Sequence, residues 1–205
     1  MGPEVRAVTV FAQRDRMVQT PDNVLAARCR AGEADAFAEV YARCERPVFR
    51  YAYHVLGCRE EADDAKQETF LRAWQSIRGF KGECALHIWL LRICANICRD
   101  RIKANRRRPV VQIGDFDDRG LPGAPSEEDP HAQVVREAET SAVRRAMMAL
   151  PPTHREIIVL REMEDLSYGE IATALGCSVA SVKVRLFRAR RLLKQRLIEL
   201  FGEPQ

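Results

Sequence analysis

No stretch of this 205-residue chain approaches the roughly 18 consecutive apolar residues that cross a bilayer, and its first residues lack the apolar core of a secretory signal. Those absences argue against direct membrane insertion and make the cytoplasm the expected location. There is no P-loop, no G-x-G-x-x-G turn and no H-E-x-x-H pair. With the sites of nucleotide hydrolysis, dinucleotide binding and zinc peptidases missing, the expectation is a protein that is not an enzyme, with no catalytic residue, cofactor or metal. Strand-period alternation is not sustained anywhere, which leaves an all-α fold. The seven cysteines are many, but they are odd in number and form no C-x-x-C pair. Without a secretory context, reduced thiols are expected. Cys94 and Cys98 stand four apart, with His87 seven before Cys94. That spacing suits either small buried hydrophobes or a metal or thiol sensor.

Charge is nearly balanced, at +4 from 33 Lys+Arg against 29 Asp+Glu, so its placement matters more than its sum. Between Lys183 and Arg196 stand Lys183, Arg185, Arg188, Arg190, Arg191, Lys194 and Arg196 with no acid among them. A solvated helix face ordinarily mixes signs, whereas a stripe of one sign fits a phosphate-tracking surface. The preceding residues give the stripe a context. Ser167 and Glu170 form a capping box for a helix carrying Ile171, Ala172 and Leu175 on one face, and Gly176 ends it. Ser178 then caps a second helix with Val182, Leu186 and Ala189 inward and the basic residues outward. Two short helices, a glycine turn and a basic outer face describe a helix-turn-helix, although a surface helical hairpin is the plainer alternative.

Two helical domains are expected. Residues 1–21 read as a mobile arm. From Asp22 to Arg108 nearly every residue fits helical spacing: a segment capped by Asp22, a stripe of Phe37, Val40, Tyr41 and Cys44, and a restart at Pro47. Val48, Phe49, Ala52 and Val55 continue to Gly57. A long helix from about Arg59 to Ile77 turns Ala62, Ala65, Thr69, Phe70, Ala73, Trp74 and Ile77 inward. The last helix of this half buries Leu86, Trp89, Leu90, Ile93 and Ile97, then runs into the basic residues Arg99, Arg101, Lys103, Arg106, Arg107 and Arg108. Residues 109–130 hold Pro109, Gly114, Gly120, Pro122, Gly123 and Pro125 among acids and read as a flexible acidic linker. Residues 131–201 form the second domain, a bundle of four helices. Its first helix presents Val134, Val135, Ala138, Ala142, Val143, Ala146 and Met147 on one face, and Leu150-Pro151-Pro152 makes a stop and restart.

Two signatures in this order resemble the sigma-70 family of RNA polymerase factors. Asp64-Ala65-Lys66-Gln67-Glu68-Thr69-Phe70, continuing to Trp74, is similar to the D-x-x-Q-E-x-F-x-x-x-W helix of its second region, and Trp89 to Asn96 resembles the W-L-x-x-I-A-x-N stretch that follows. Leu150 to Arg190 is similar to the fourth region, L-P-x-x-x-R followed by S-Y-x-E-I-A-x-x-L-G and V-K-x-R-L-x-R-A-R. Short length, with only a linker between the regions, points to the extracytoplasmic-function (ECF) group. The resemblance implies a factor, monomeric when free, that binds core RNA polymerase and directs it to promoter DNA.

It also implies roles for particular residues. Asp63, Asp64, Gln67 and Glu68 would meet the clamp helices of the largest polymerase subunit, although helix-dipole and i,i+4 pairing account for most of these charges equally well. Arg92, Asn96, Arg99 and Arg101 would hold the opened −10 element, and Trp89 is either core or a stacking platform. Ser178, Ala180, Ser181, Lys183, Val184, Arg185, Arg188 and Arg190 would face the −35 element, with Arg185 placed to read guanine and Val184 suited to a thymine methyl. The flap of the second-largest polymerase subunit and an anti-sigma factor are the further partners implied. The linker is either a nucleic-acid mimic or a spacer. Outside the resemblance, a stand-alone helix-turn-helix regulator binding operator DNA and a helical adaptor or RNA-binding protein remain as alternatives.

Overall fold

The computed structural model describes residues 20–105 and 141–201, and among these every regular element is helical. The expected arm over residues 1–19, the linker at 109–130, Arg106 to Arg108 and the first-helix positions Val134, Val135 and Ala138 lie outside the described residues. The N-terminal half comprises α1 (Asp22–Arg30), α2 (Ala34–Leu56), α3 (Arg59–Ser76) with a 3-10 turn at Ile77–Gly79, and α4 (Leu86–Asn105). The C-terminal half comprises helical residues 141–148 (α5), α6 (Pro152–Ile158) with a π-helical turn at Val159–Met163, α7 (Tyr168–Leu175) and α8 (Val179–Phe201).

Helix α2 corrects two expectations. Pro47 does not restart the chain; it lies inside one continuous helix of 23 residues. Proline deletes one intrahelical hydrogen bond at a cost of about 3 kcal/mol. Val40 and Cys44 before it, and Val48, Tyr51, Ala52 and Val55 after it, all reach the same core, and their burial outweighs the loss. Tyr41, expected inward, is 37% exposed. The helix closes at Gly57, whose φ of 81° lies in the left-handed region. Asp22 does not cap the helix it begins: its Oδ2 accepts from Leu86 N at 2.9 Å and so caps α4, far along the chain.

The helix-turn-helix forms as its local chemistry dictates. Ser167 accepts from Glu170 N while the Glu170 carboxylate accepts from Ser167 N at 2.8 Å, and the Ser167 hydroxyl and amide together hold that carboxyl below the usual range. Gly176 leaves α7 at φ 64°, and Ser178 Oγ accepts from Ser181 N at 3.2 Å to start α8. Val182, Leu186 and Ala189 are buried, as spaced. In α5, Ala142, Ala146 and Met147 are buried while Val143 is 41% exposed.

The halves are packed together. Buried residues from α1 to α4 and from α6 to α8 belong to one apolar cluster, with α4 lying against α7 and α2 against α6. Arg155, buried on α6, ties the boundary. Its guanidinium donates to Val55 O at the end of α2 (2.6 Å), to Met148 O (2.6 Å), and to Met147 O and Leu150 O (both 3.1 Å).

Candidate nucleic-acid and partner interface

Three exposed helical faces carry the residues singled out in the sequence. Ser178, which caps α8, is exposed, as are Ala180, Lys183, Val184, Arg188 and Arg190 on the helix itself, and Ser181 is half-buried. Helical spacing places Ala180, Val184 and Phe187 in one row, with Lys183, Arg188 and Arg191 beside it. Phe187 is 68% exposed and was not singled out from sequence, yet a large aromatic between buried Leu186 and a basic outer face was the available signal. A shallow groove of about 510 Å³ runs along this face between His154, Val184, Phe187, Arg188, Leu192 and Gln195.

Arg185, expected to read guanine, is engaged elsewhere. Its Nη2 donates to Glu156 Oε1 at 2.6 Å and to Thr153 O at 2.9 Å. Arg190 is likewise paired, donating to Glu162 Oε1 from Nε (3.0 Å) and Nη2 (2.7 Å). The cationic positions standing outward on this helix are therefore Lys183, Arg188, Arg191 and Lys194.

On α4, Arg92, Asn96 and Arg99 fall along one face, the first two exposed. Arg99 Nη1 donates to Asn96 Oδ1 at 3.1 Å, and its Nε donates to Glu156 Oε2 at 3.0 Å. Trp89 is half-buried, its ring 5.0 Å from that of Phe80, so it packs on the edge of the core beside this face. Arg101 turns toward α3, donating to Glu68 Oε2 at 3.0 Å and lying 3.6 Å from Asp64. The structure thus joins a residue expected at DNA to two expected at the polymerase.

On α3, Asp64 and Gln67 are exposed, Asp63 pairs with Lys66 at 2.8 Å, and Glu68 is shared between Arg101 and Arg72. Burial raises the Glu68 carboxyl, but the two arginines more than offset it and leave it below the usual carboxylate range. Trp74 does not point inward. It is 41% exposed, with one edge against Phe37 at 4.9 Å, on the same face as Asp64, Gln67 and the 58% exposed Leu71. Spacings of three, four and three residues place these four in one row. Leu71 was missed in the sequence, and Trp74 was assigned to the wrong face.

The cysteines are free thiols. Cys94 and Cys98 are buried with their sulfurs 3.9 Å apart, and the neighbouring Cys94 thiol and burial together push the Cys98 thiol well up, away from the reactive thiolate. His87 instead lines a 310 Å³ cleft at the boundary of the halves, beside Asp22, Arg43 and Glu164. Among the described residues no group of three His, Cys, Asp or Glu side chains is placed to hold a metal ion, and no helix is long and apolar enough to cross a membrane.

The family model for Sigma-70 region 2 matches residues 40–108, and that for Sigma-70 region 4 matches residues 140–193. The RNA polymerase sigma-H factor of Pseudomonas aeruginosa is 29% identical over 192 residues, covering 91% of this chain and 99% of that protein. The ECF RNA polymerase sigma-E factor of Escherichia coli is 30% identical over 185 residues, covering 87% of this chain and 95% of its own length. Among solved structures, CnrH in complex with the cytosolic domain of CnrY superposes with a TM-score of 0.64 at 27% identity, over 86% of this chain and 96% of that one.

Proposed function

Since the chain belongs to the ECF sigma-70 factors and acts in promoter-directed transcription initiation, we propose how its two halves divide that work. The N-terminal half, residues 22–108, holds core RNA polymerase through the α3 face and the −10 element through α4. The C-terminal half, residues 131–201, places α8 on the −35 element, with residues 109–130 as tether. The observation that carries this reading is the outer face of α8, where Lys183, Arg188, Arg191 and Lys194 flank Ala180, Val184 and Phe187 at the exit of a capped helix-turn-helix. Cations of this kind grip phosphates, and small apolar side chains suit thymine methyls. Arg185 reaches a base edge only by leaving Glu156.

On α3, Asp64, Gln67, Leu71 and Trp74 form a row with polar and apolar members exposed together, the composition of a docking face rather than a solvated one. Its proposed partner is the clamp helices of the largest polymerase subunit. The flap of the second-largest subunit is a further proposed partner of the C-terminal half. An anti-sigma protein is a further proposed partner, in keeping with the CnrH chain having been solved with the cytosolic domain of CnrY.

A stand-alone helix-turn-helix regulator is not favoured, because it leaves the region 2 match over residues 40–108 without a role. Run-off transcription with purified core polymerase tests the proposal. The wild-type chain initiates at a discrete start on its own promoter, and the charge reversals Lys183→Glu and Arg188→Glu abolish that start. Initiation unaffected by both reversals, or none by the wild type, refutes it.

A further inference from the structure

Glu156 is 3% exposed and divides its two oxygens between the halves of the molecule. Oε2 accepts from Arg99 of α4 at 3.0 Å, and Oε1 accepts from Arg185 of the recognition helix at 2.6 Å. A second pair crosses the same boundary with the same polarity. Arg50 of α2 donates from Nε and Nη2 to the two oxygens of Glu164, at 2.6 and 2.7 Å, and that glutamate side chain is 5% exposed. In both crossings the acid belongs to the C-terminal half and the arginine to the N-terminal half. Tyr51, fully buried on α2, registers the same charge: burial first, and then Glu156, push its phenol well above the ordinary range.

Taking the DNA-contact assignments of the preceding subsection as its premise, we propose that Glu156 is an interdomain latch that withholds one promoter-reading arginine from each half until the halves part. A carboxylate and a DNA phosphate or guanine edge compete for the same guanidinium donors, so Arg99 and Arg185 serve one or the other. Separation of the halves frees Arg99 at once. It also brings Glu156 from the interior into water, where its hold on Arg185 weakens several-fold. The pair Arg50–Glu164 keeps the latch shut without itself belonging to the DNA-contacting set. In the closed chain, apparent affinity for DNA is reduced by the fraction of molecules that are open.

The decisive variant is Arg50→Ala in the full chain, read by fluorescence anisotropy with a labelled random-sequence duplex a few helical turns long that ends in a single-stranded overhang, so that both arginines have a target. Charge alone makes this variant bind more weakly, because it loses a cation, whereas release of the latch makes it bind about tenfold more tightly. Glu164→Gln breaks the same pair from the other side and tightens binding equally. Asp35→Asn removes an exposed acid of α2, remote from the basic stripe of α8, as a control for charge and leaves affinity near that of the wild type. Small-angle scattering follows the same proteins, with a larger radius of gyration for the first two variants only. Arg50→Ala binding as weakly as its lost charge dictates, or an unchanged radius for both opened variants, overturns the latch. The double variant Arg50→Ala/Arg99→Ala separates this outcome from failure of its premise: an increased radius with undiminished binding of the overhang-bearing DNA shows that the halves open but that Arg99 does not touch DNA.

Discussion

Arg155→Ala removes the cation on which four carbonyls converge, and its cost follows from two opposed terms. Burial lowers the Arg155 pKa from 12.5 to about 10, so keeping this cation inside costs about 3 kcal/mol. Against this stand the hydrogen bonds to Val55 O, Met147 O, Met148 O and Leu150 O, at 2.6 to 3.1 Å. Each bond from a charged donor contributes at least about 1.5 kcal/mol, and so about 6 together. The difference predicts that Arg155→Ala destabilises the chain by about 3 kcal/mol, with carbonyls left unpaired in a closed space. Arg155→Lys keeps the charge but replaces a planar fork by a single ammonium, which cannot span acceptors at the ends of α2 and α5 and in the turn that follows. It is expected to be little better than alanine. Urea unfolding followed by circular dichroism measures both, the midpoint giving the loss when the slope is unchanged. A loss within about 1 kcal/mol for alanine, or full stability for lysine, refutes the reasoning, because the convergence of bonds would then have no energetic content.

Two other perturbations act on α2 and on the glycine that closes it. His54, on α2, has its pKa lowered from 6.5 to about 4, by burial first and then by Arg50. Its folded value lies below the unfolded one, so the unfolded chain binds the extra proton between about pH 4 and 6.5 and stability falls as pH drops through that window. A drop from pH 7 to 4.5 is expected to cost about 2 kcal/mol from this residue alone, and His54→Gln removes that part of the slope in urea midpoints taken across the range. An unaltered slope in the variant rules His54 out as its source. At Gly57, φ is 81° and an added Cβ would lie 2.2 Å from Met148 Cε, so Gly57→Ala meets both backbone strain and a side chain from the other half. The expected loss is about 2 kcal/mol, of which Met148→Ala in the same chain restores the steric part and leaves about 1 kcal/mol of left-handed strain. Full recovery in the double variant contradicts the strain argument.

What the sequence disclosed and what it hid separate along one physical line, the distance over which the deciding interaction acts. The capping box at Ser167 and Glu170, the Gly176 exit, the Ser178 cap and the buried row Val182, Leu186, Ala189 each depend on residues within a turn or two, and all stand as spacing predicted. The two domain signatures were legible for the same reason, as short local patterns on single helices. Pro47 misled because its local penalty is outweighed by packing on either side of it, and Asp22 because its acceptor oxygen serves a helix that starts at Leu86. Trp74 misled through its type: a tryptophan was assigned to the core, although its angular position matches exposed Gln67 and Leu71. The π-helical turn at Val159–Met163, followed by Asp165 in the left-handed region at φ 50°, has no sequence signature, yet it leads the chain to where Glu164 meets Arg50. Glu156 alone left a readable trace. An acid within Arg155-Glu156-Ile157-Ile158-Val159-Leu160, every residue of which is buried, requires a cation beside it. The sequence poses that requirement but cannot name Arg99 and Arg185 as the answer, since both are assigned to DNA and Arg99 also lies on another domain. The residues most easily read as binding groups are therefore the ones whose partners most need coordinates: an exposed-looking arginine on a helix wheel has the same signature whether it faces a phosphate or a buried carboxylate.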